Sequence, residues 1–247
     1  MEHNRQSWFS KNLGAIDRKE QELLFKSRVL ICGVGGVGGI CIELLARAGV
    51  EKFAVIDNDK FEITNLNRQI HSNRSVLGQY KVDVIKKQLK LINPKIKFYG
   101  FKKRLEPNMF NFYKAKLSLF KPQIIIDSFD NASSRMLVSR LAKKLKIPHL
   151  YAGCAKARGF ICLFSKEQGM EICFDLPSKQ KKIKTAYKIL ENYPPCPAAW
   201  GPITNLVGCL ASNIAINFLL KKEGYPTIPY YWVIEGKGKE IVRLAKF

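Results

Sequence analysis

Apolar and polar positions fall into blocks whose lengths predict alternating strands and helices. Residues 1–27 read as a polar helical stretch with Leu23, Leu24 and Phe25 turned to a core. The run Arg28 to Cys32 is short, apolar and stopped by Gly33, the pattern of a buried parallel strand. Residues 37–48 have helical periodicity, with Gly49 as the expected C-cap. Phe53 to Asp57 is the next strand, closing a β-α-β unit of about 30 residues. The spacing then predicts a helix over 78–92, a strand over 97–101 and a helix over 105–115. A strand over 122–127, a helix over 133–145 and a strand starting at 148–151 follow. Such alternation implies a mostly parallel, doubly wound sheet with helices on both faces.

Beyond Gly153 the pattern changes. Residues 159–164 and 171–174 resemble a hairpin around 167–169. Residues 177–195 are polar and basic and read as a mobile segment or weak helix. A long helix is expected over 203–222, with Pro202 at its first turn. Residues 230–234 and 240–244 read as a terminal hairpin turning at 236–238. The fold class is therefore α/β, Rossmann-like and doubly wound, with a C-terminal antiparallel extension. Residues 1–152 form the nucleotide-binding core with its N-terminal helix. Residues 153–247 supply the crossover segment, the long helix and a hairpin completing the same sheet.

Composition narrows this picture. Hydrophobic residues make up 47% of the 247, enough for a core without disulfides or metals. The seven cysteines are odd in number and form no CxxC pair, which argues against a disulfide framework and a four-thiolate zinc site. The most apolar stretch, Ile203 to Leu220, is interrupted by Asn205, Ser212, Asn213 and Asn217 and reads as a buried helix, not a membrane span. The N-terminus has no apolar segment of a secretory signal, so a cytoplasmic protein is expected. The net charge of +22 fits an acidic partner (nucleic acid, nucleotide phosphates or an acidic protein) or a solvated lysine-rich surface.

The candidate chemistry begins at Gly33-Val-Gly35-Gly36-Val-Gly38, between the first strand and its helix. Glycines there permit a tight turn and let phosphate approach the backbone, where the helix N-terminus offers unpaired N–H groups. Asp57 ends the second strand, where a carboxylate can take ribose hydroxyls. The glycine loop alone fits a dinucleotide oxidoreductase, or a purely structural turn.

The next segment points elsewhere. Asp57-Asn-Asp59-Lys-Phe-Glu-Ile-Thr-Asn65-Leu-Asn67-Arg68-Gln69 resembles the D-x-D-x-(V/F)-x-x-(S/T)-N-L-N-R-Q signature of the ThiF/MoeB/HesA family, the superfamily of ubiquitin-activating enzymes. Gly78-Gln-Tyr-Lys81-Val, Ile92-Asn93-Pro94 and Asp127-Ser-Phe-Asp130-Asn131 with Arg135 match further family motifs in order. The resemblance implies ATP-dependent adenylation of a carboxylate with release of pyrophosphate. It implies that Arg68 and Lys81 contact phosphates, that Asp130 is the acid associated with Mg2+, and that Asp57 binds ribose. It further implies that Asn65 and Gln69 line the phosphate pocket, with Asp59 and Asn131 in the nucleotide site. Asp127 reads as a strand-end structural acid or a metal ligand.

The chain departs from the family in two places. Trp8-Phe9-Ser10-Lys11-Asn12 stands where many members have R-Y-x-R-Q, so Lys11, or Arg5, takes the place of an arginine that reaches into the partner of a homodimer. Of the two CxxC pairs in many relatives only Cys173 is kept, so no structural zinc is expected. Cys196, before the long helix, matches a segment that in some members holds a thiol forming an acyl adduct; it is a candidate catalytic thiol or an inert loop cysteine. His71 resembles the subgroup that dehydrates threonylcarbamoyladenosine in tRNA, or it packs or caps. The partner expected from the crossover region is a small ubiquitin-like or sulfur-carrier protein. The alternatives are a tRNA, a ribosomal peptide, or a non-catalytic scaffold or oxidoreductase role.

Overall fold

The computed structural model describes residues 5–164, 169–194, 198–237 and 241–247. A short helix α1 (Arg5–Trp8) and a 3-10 turn lead to α2 (Arg18–Lys26). α2 starts where Asp17 accepts from the Glu20 N–H and Glu20 accepts from the Asp17 N–H, a reciprocal cap. The helical reading of 1–27 therefore breaks at a turn through Gly14, whose φ is +110. Leu24 and Phe25 are buried as expected, but Leu23 points to solvent.

The alternation follows as β1 (Arg28–Cys32), α3 (Gly36–Ala48), β2 (Lys52–Ile56), α4 (Lys81–Ile92) and β3 (Lys97–Phe101). Next come α5 (Phe110–Phe120), β4 (Ile124–Asp127), α6 (Ala132–Leu145) and β5 (His149–Ala155). The helix expected over 105–115 starts later because Pro107 opens a separate 3-10 turn. Gly49 ends α3 in the left-handed region, φ +109, as expected of a C-cap. Then follow β6 (Arg158–Phe164), α7 (Met170–Cys173), α8 (Ile183–Glu191), α9 (Gly201–Leu219), β7 (Tyr230–Glu235) and β8 (Val242–Lys246).

All eight strands form one sheet in the order β3-β2-β1-β4-β5-β6-β7-β8. The pairs from β3 to β5 are parallel; those from β5 to β8 are antiparallel. The boundary at 152/153 falls inside β5, which both parts of the chain share. Side chains from α3, α4 and α9 cover one face, and those from α5, α6 and α8 the other.

The hairpin expected from 159–164 and 171–174 does not form. β6 pairs instead with β5 and β7, and 170–173 is a helical turn. The alternation of Glu171, Ile172 and Cys173 misled because the burial is inverted: Ile172 is exposed and Glu171 is buried. Two guanidinium nitrogens of Arg140 on α6 hold the Glu171 carboxylate at 2.7 and 2.8 Å. The same guanidinium donates to the Lys181 and Ser178 carbonyls at 2.8 and 3.0 Å. That anchor makes the basic stretch an ordered element: α8 buries Ala186, Tyr187 and Leu190 and leaves Lys184 and Lys188 in water. The terminal hairpin forms as β7 and β8, with Trp232 opposite Leu244. Gly238 of its expected turn lies outside the described residues.

α9 carries Pro202 in its first turn, where a missing N–H costs nothing. It is long and apolar enough to cross a membrane, yet half of it is buried here, lying along α3 and under β5 and β6. The approach to α3 is close. A Cβ on Gly208 would fall inside van der Waals contact of Ile40 Cγ2 and the Val37 carbonyl. Gly208→Ala should therefore cost about 1–3 kcal/mol through overpacking, read as a lower denaturation midpoint at unchanged slope. An unchanged midpoint would show that α3 and α9 do not meet this closely.

Candidate functional site

In a doubly wound sheet a ligand crevice opens where strand order reverses, beyond the carboxyl ends of the strands. Here the reversal lies between β1 and β4, the strands ending at Cys32 and Asp127. Gly33 leaves β1 at φ +84, a conformation that only glycine adopts freely. The Ser128 N–H donates to the Cys32 carbonyl at 2.9 Å, and its hydroxyl reaches the Gly33 carbonyl at 2.6 Å. A Cβ on Gly38 would collide with both that carbonyl and the Ser128 hydroxyl. Gly38 is thus a packing glycine and does not line the crevice, whereas Gly33, Gly35 and Gly36 do. α3 starts at Gly36, with Gly35 as its N-cap, and points its amino end into the crevice.

Asp57 stands one strand over, just past β2. Its carboxylate accepts from the Val34 and Asp59 N–H groups, each at 2.8 Å. Burial pushes its pKa up, while Lys81 and the Val34 N–H pull it down. Lys81, the first residue of α4, is buried and donates to Asp59 Oδ2 at 2.8 Å. Asp57 and Asp59 after β2 and Lys81 at the start of α4 thus bring two carboxylates and one cation to the same wall.

Arg68 and its neighbours come from the loop after β2. Asn65 is buried and accepts from the Glu62 N–H at 3.0 Å, bracing a 3-10 turn. The Arg68 guanidinium donates to the Thr64 carbonyl and Asn67 Oδ1, both at 2.9 Å. α9 fixes this loop from behind: Asn205 Nδ2 donates to the Arg68 carbonyl at 3.1 Å. Gln69 is buried beside Gly35, and its Oε1 has no hydrogen-bond partner, an acceptor left open at the glycine turn.

The opposite wall rests on Asp127, which is fully buried. Its carboxylate meets His149 Nε2 at 3.2 Å and Arg135 Nη1 at 3.5 Å and accepts from the Phe129 N–H at 3.2 Å. These contacts make it the structural acid of the two readings. The Arg135 guanidinium lies 4.0 Å from the Tyr151 ring centroid. The turn so held presents Asp130 to solvent at the crevice. Asn131 caps α6, accepting from the Ser134 N–H at 2.9 Å, and lies outside the crevice lining.

The resulting cleft encloses about 800 Å3. It joins Gly33, Gly35, Gly36, Asp57, Asp59, Asn65, Arg68, Gln69, Lys81 and Asp130, all expected from the sequence. Cys196 lies outside the described residues. Sequence reasoning missed Ser128, Tyr151, Cys154, Arg158, Phe160 and Thr204, which also line it. Only Ser128 stood inside a recognised motif; the others arrive through strand pairing and the start of α9. Among the described residues no group of three or more His, Cys, Asp and Glu stands together as a metal site. A lone exposed Asp130 still suits Mg2+ that arrives with a nucleotide, since that ion keeps waters and phosphate oxygens as its main ligands.

His71 is not in the cleft. It is buried against α3, with Nε2 at 3.1 Å from the Gly39 carbonyl and 3.6 Å from Glu43 Oε2. It packs, the second of the roles open to it.

Comparison with known proteins agrees with this architecture. The ThiF family matches residues 9–246. The sulfur carrier protein adenylyltransferase of Thermus thermophilus is 26% identical over 218 residues, covering 84% of this chain and 74% of that protein. The tRNA threonylcarbamoyladenosine dehydratase of Bacillus subtilis is 44% identical over 94 residues, but the match spans 38% of this chain and only 37% of that protein. Escherichia coli MccB in complex with MccA superposes with a TM-score of 0.77 at 23% identity, covering 99% of this chain and 72% of MccB, which is similarity of fold.

Burial lowers the His71 pKa, against the raising influence of Glu43. The folded state then takes up its proton at lower pH than the unfolded state. His71 therefore contributes stability that is present above about pH 6.5 and is lost as pH falls through the folded value. Stability measured by denaturant between neutral and mildly acidic pH should decline, and His71→Gln should flatten that decline. An identical pH slope in the variant would remove His71 from the linkage.

Proposed function

Because the chain belongs to the ThiF family, we propose that it activates a carboxylate by adenylation, using ATP and releasing pyrophosphate. The observation that carries this reading is the single cleft that joins a nucleotide end to a second wall. Glycine turn, Asp57, Arg68, Lys81 and Asp130 make the first; Tyr151, Arg158, Phe160 and Val233 from the antiparallel strands make the other. A volume of about 800 Å3 lies in the upper part of the ~300–1,000 Å3 range of ligand pockets, with room for a nucleotide and the end of a second substrate.

In this mechanism a carboxylate oxygen of the acceptor attacks the α-phosphorus. The new O–P bond forms as the bond to the bridging oxygen breaks, and that electron pair leaves with pyrophosphate. Asp57 takes the ribose hydroxyls, and the amino end of α3 faces the phosphates. Arg68 and Lys81 stabilise the charge that builds on the α-phosphate and leaving group, the work of preorganised cations. The Thr64 carbonyl and Asn67 hold the Arg68 guanidinium, and Asp59 holds Lys81, before substrate arrives. Bound Mg2+, held by Asp130 and the phosphates, would screen phosphate charge.

The acceptor in this reading is the C-terminal carboxylate of a small ubiquitin-like or sulfur-carrier protein; the Thermus relative is an adenylyltransferase of a sulfur carrier protein. An extended tail is the form of protein carboxylate that reaches into such a cleft. The active assembly is a homodimer in which Lys11, exposed and away from its own cleft, meets the partner's phosphates. One surface feature favours a second reading, an RNA-borne carboxylate. Lys60 and Lys102 both lie 5.0 Å from the Tyr80 ring centroid, and Lys103 and Lys116 flank Phe112, a basic and aromatic ridge suited to nucleic acid.

ATP–pyrophosphate exchange tests the reaction and the acceptor together. Exchange should require Mg2+, disappear with EDTA, and be stimulated by proteins ending in Gly-Gly. Stimulation by tRNA alone, steeply weakened by salt, would select the second reading. Arg68→Ala and Asp130→Ala should each lower exchange by about 10²–10³-fold with unchanged circular dichroism. Near-normal exchange in both variants would overturn the site.

A further inference from the structure

β6 starts at Arg158, directly opposite Ala155, the last residue of β5. It therefore stands on the same carboxyl edge of the sheet as the glycine turn, and it lines the cleft. Its side chain is 74% exposed and donates through Nε to Glu235 Oε2 at 2.8 Å. Among the described residues the two terminal nitrogens of its guanidinium make no hydrogen bond, and they can meet a second carboxylate in a bidentate geometry. Glu235 is itself shared, since Arg243 Nη2 lies 3.6 Å from its other oxygen. Two guanidiniums on one carboxylate leave the rim with a net positive charge. Beside them the wall is apolar: Phe160 and Tyr231 stack with centroids 4.5 Å apart.

Resting on the adenylation reading, we propose that Arg158, backed by Glu235 and Arg243, is the residue that selects the acceptor tail by pairing with an acidic side chain on it. Strand spacing locates that side chain. From β1 to β6 are three steps of about 4.8 Å, so Arg158 lies about 14 Å from the glycine turn. An extended chain covers about 3.3–3.6 Å per residue, which puts the acid about four residues before the reacting carboxylate. Glu235 fixes the arginine in place and also rejects a second carboxylate too close to β7. A basic tail residue at that position would meet Arg158 as a like charge.

The test uses synthetic peptides ending in Gly-Gly, with a single Glu, Ser or Lys at successive positions upstream, in ATP–pyrophosphate exchange. The wild-type chain should favour Glu about four residues from the end by about three- to fivefold in KM over Ser, the size of an exposed ion pair, and should reject Lys there. Arg158→Glu should reverse the order and favour Lys, read as the ratio of KM between the Glu and Lys peptides. Exchange without charge preference, or with the same preference in both proteins, overturns the role of Arg158 and leaves adenylation standing. Absence of exchange with every peptide overturns the adenylation of protein tails and this inference with it.

Discussion

The reversal of strand order between β1 and β4 is the constraint on which the site depends. Two adjacent parallel strands send their chains to opposite faces of the sheet there, so nothing fills the space above their ends. The sequence must then cross that gap with little backbone bulk. Gly33 turns out of β1 at positive φ, and the absent side chain of Gly38 lets the Ser128 hydroxyl close on the Gly33 carbonyl. This bond ties the end of β1 to the end of β4, so both walls of the crevice are referenced to one point. Asp57 is then placed by the end of β2, Asp130 by the turn that follows β4, and Lys81 by the start of α4.

Charge in the cleft is organised from beneath. Asp127 is buried with Arg135 and His149 around it, an arrangement that costs desolvation and yields little net stability. Its effect is positional: the same carboxylate accepts from the Phe129 N–H and so shapes the turn carrying Asp130. Asp57 works the same way, using two backbone N–H groups to join the glycine turn to the loop after β2. Lys81 is buried but balanced by Asp59, and the Arg68 backbone is anchored by Asn205 from α9. The cations are oriented before any phosphate arrives, which is the condition under which they stabilise developing charge most.

The parallel half of the fold was legible because β1, β2, β4 and β5 are short apolar runs set off by glycine or proline, a local signal. Most of the nucleotide end was legible for the same reason: its residues cluster in consecutive motifs. What escaped depends on contacts remote in sequence. Glu171 looks like the solvent face of a strand until Arg140, on another helix, pairs with it and turns the segment into a helical anchor. Leu23 looks like core because its neighbours are. Gly38 and Asn131 sit in nucleotide-site motifs but serve the turn and the helix cap, roles that a motif does not separate from ligand contact. The acceptor wall was least legible, since Tyr151, Arg158 and Phe160 reach the cleft only through the pairing of β5, β6 and β7.

The same strand order bears on the acceptor. Lys60, Tyr80 and Lys102 follow β2 and β3, while Arg158 starts β6, so the two cationic rims lie on opposite sides of the crevice. In the proposed reaction a nucleotide with its ribose at Asp57 would span the ends of β1 and β2, and so would lie between the basic, aromatic ridge and the wall built by β5 to β7. A carboxylate carried along the β6 side reaches the phosphates directly past Arg158. One carried by RNA on the ridge comes from two strand spacings away, from β3 to β1, and would have to arch over the ribose. The high net charge fits either partner, but its placement does not treat them alike. In the proposed reaction the direct approach would belong to an extended tail entering over the antiparallel strands.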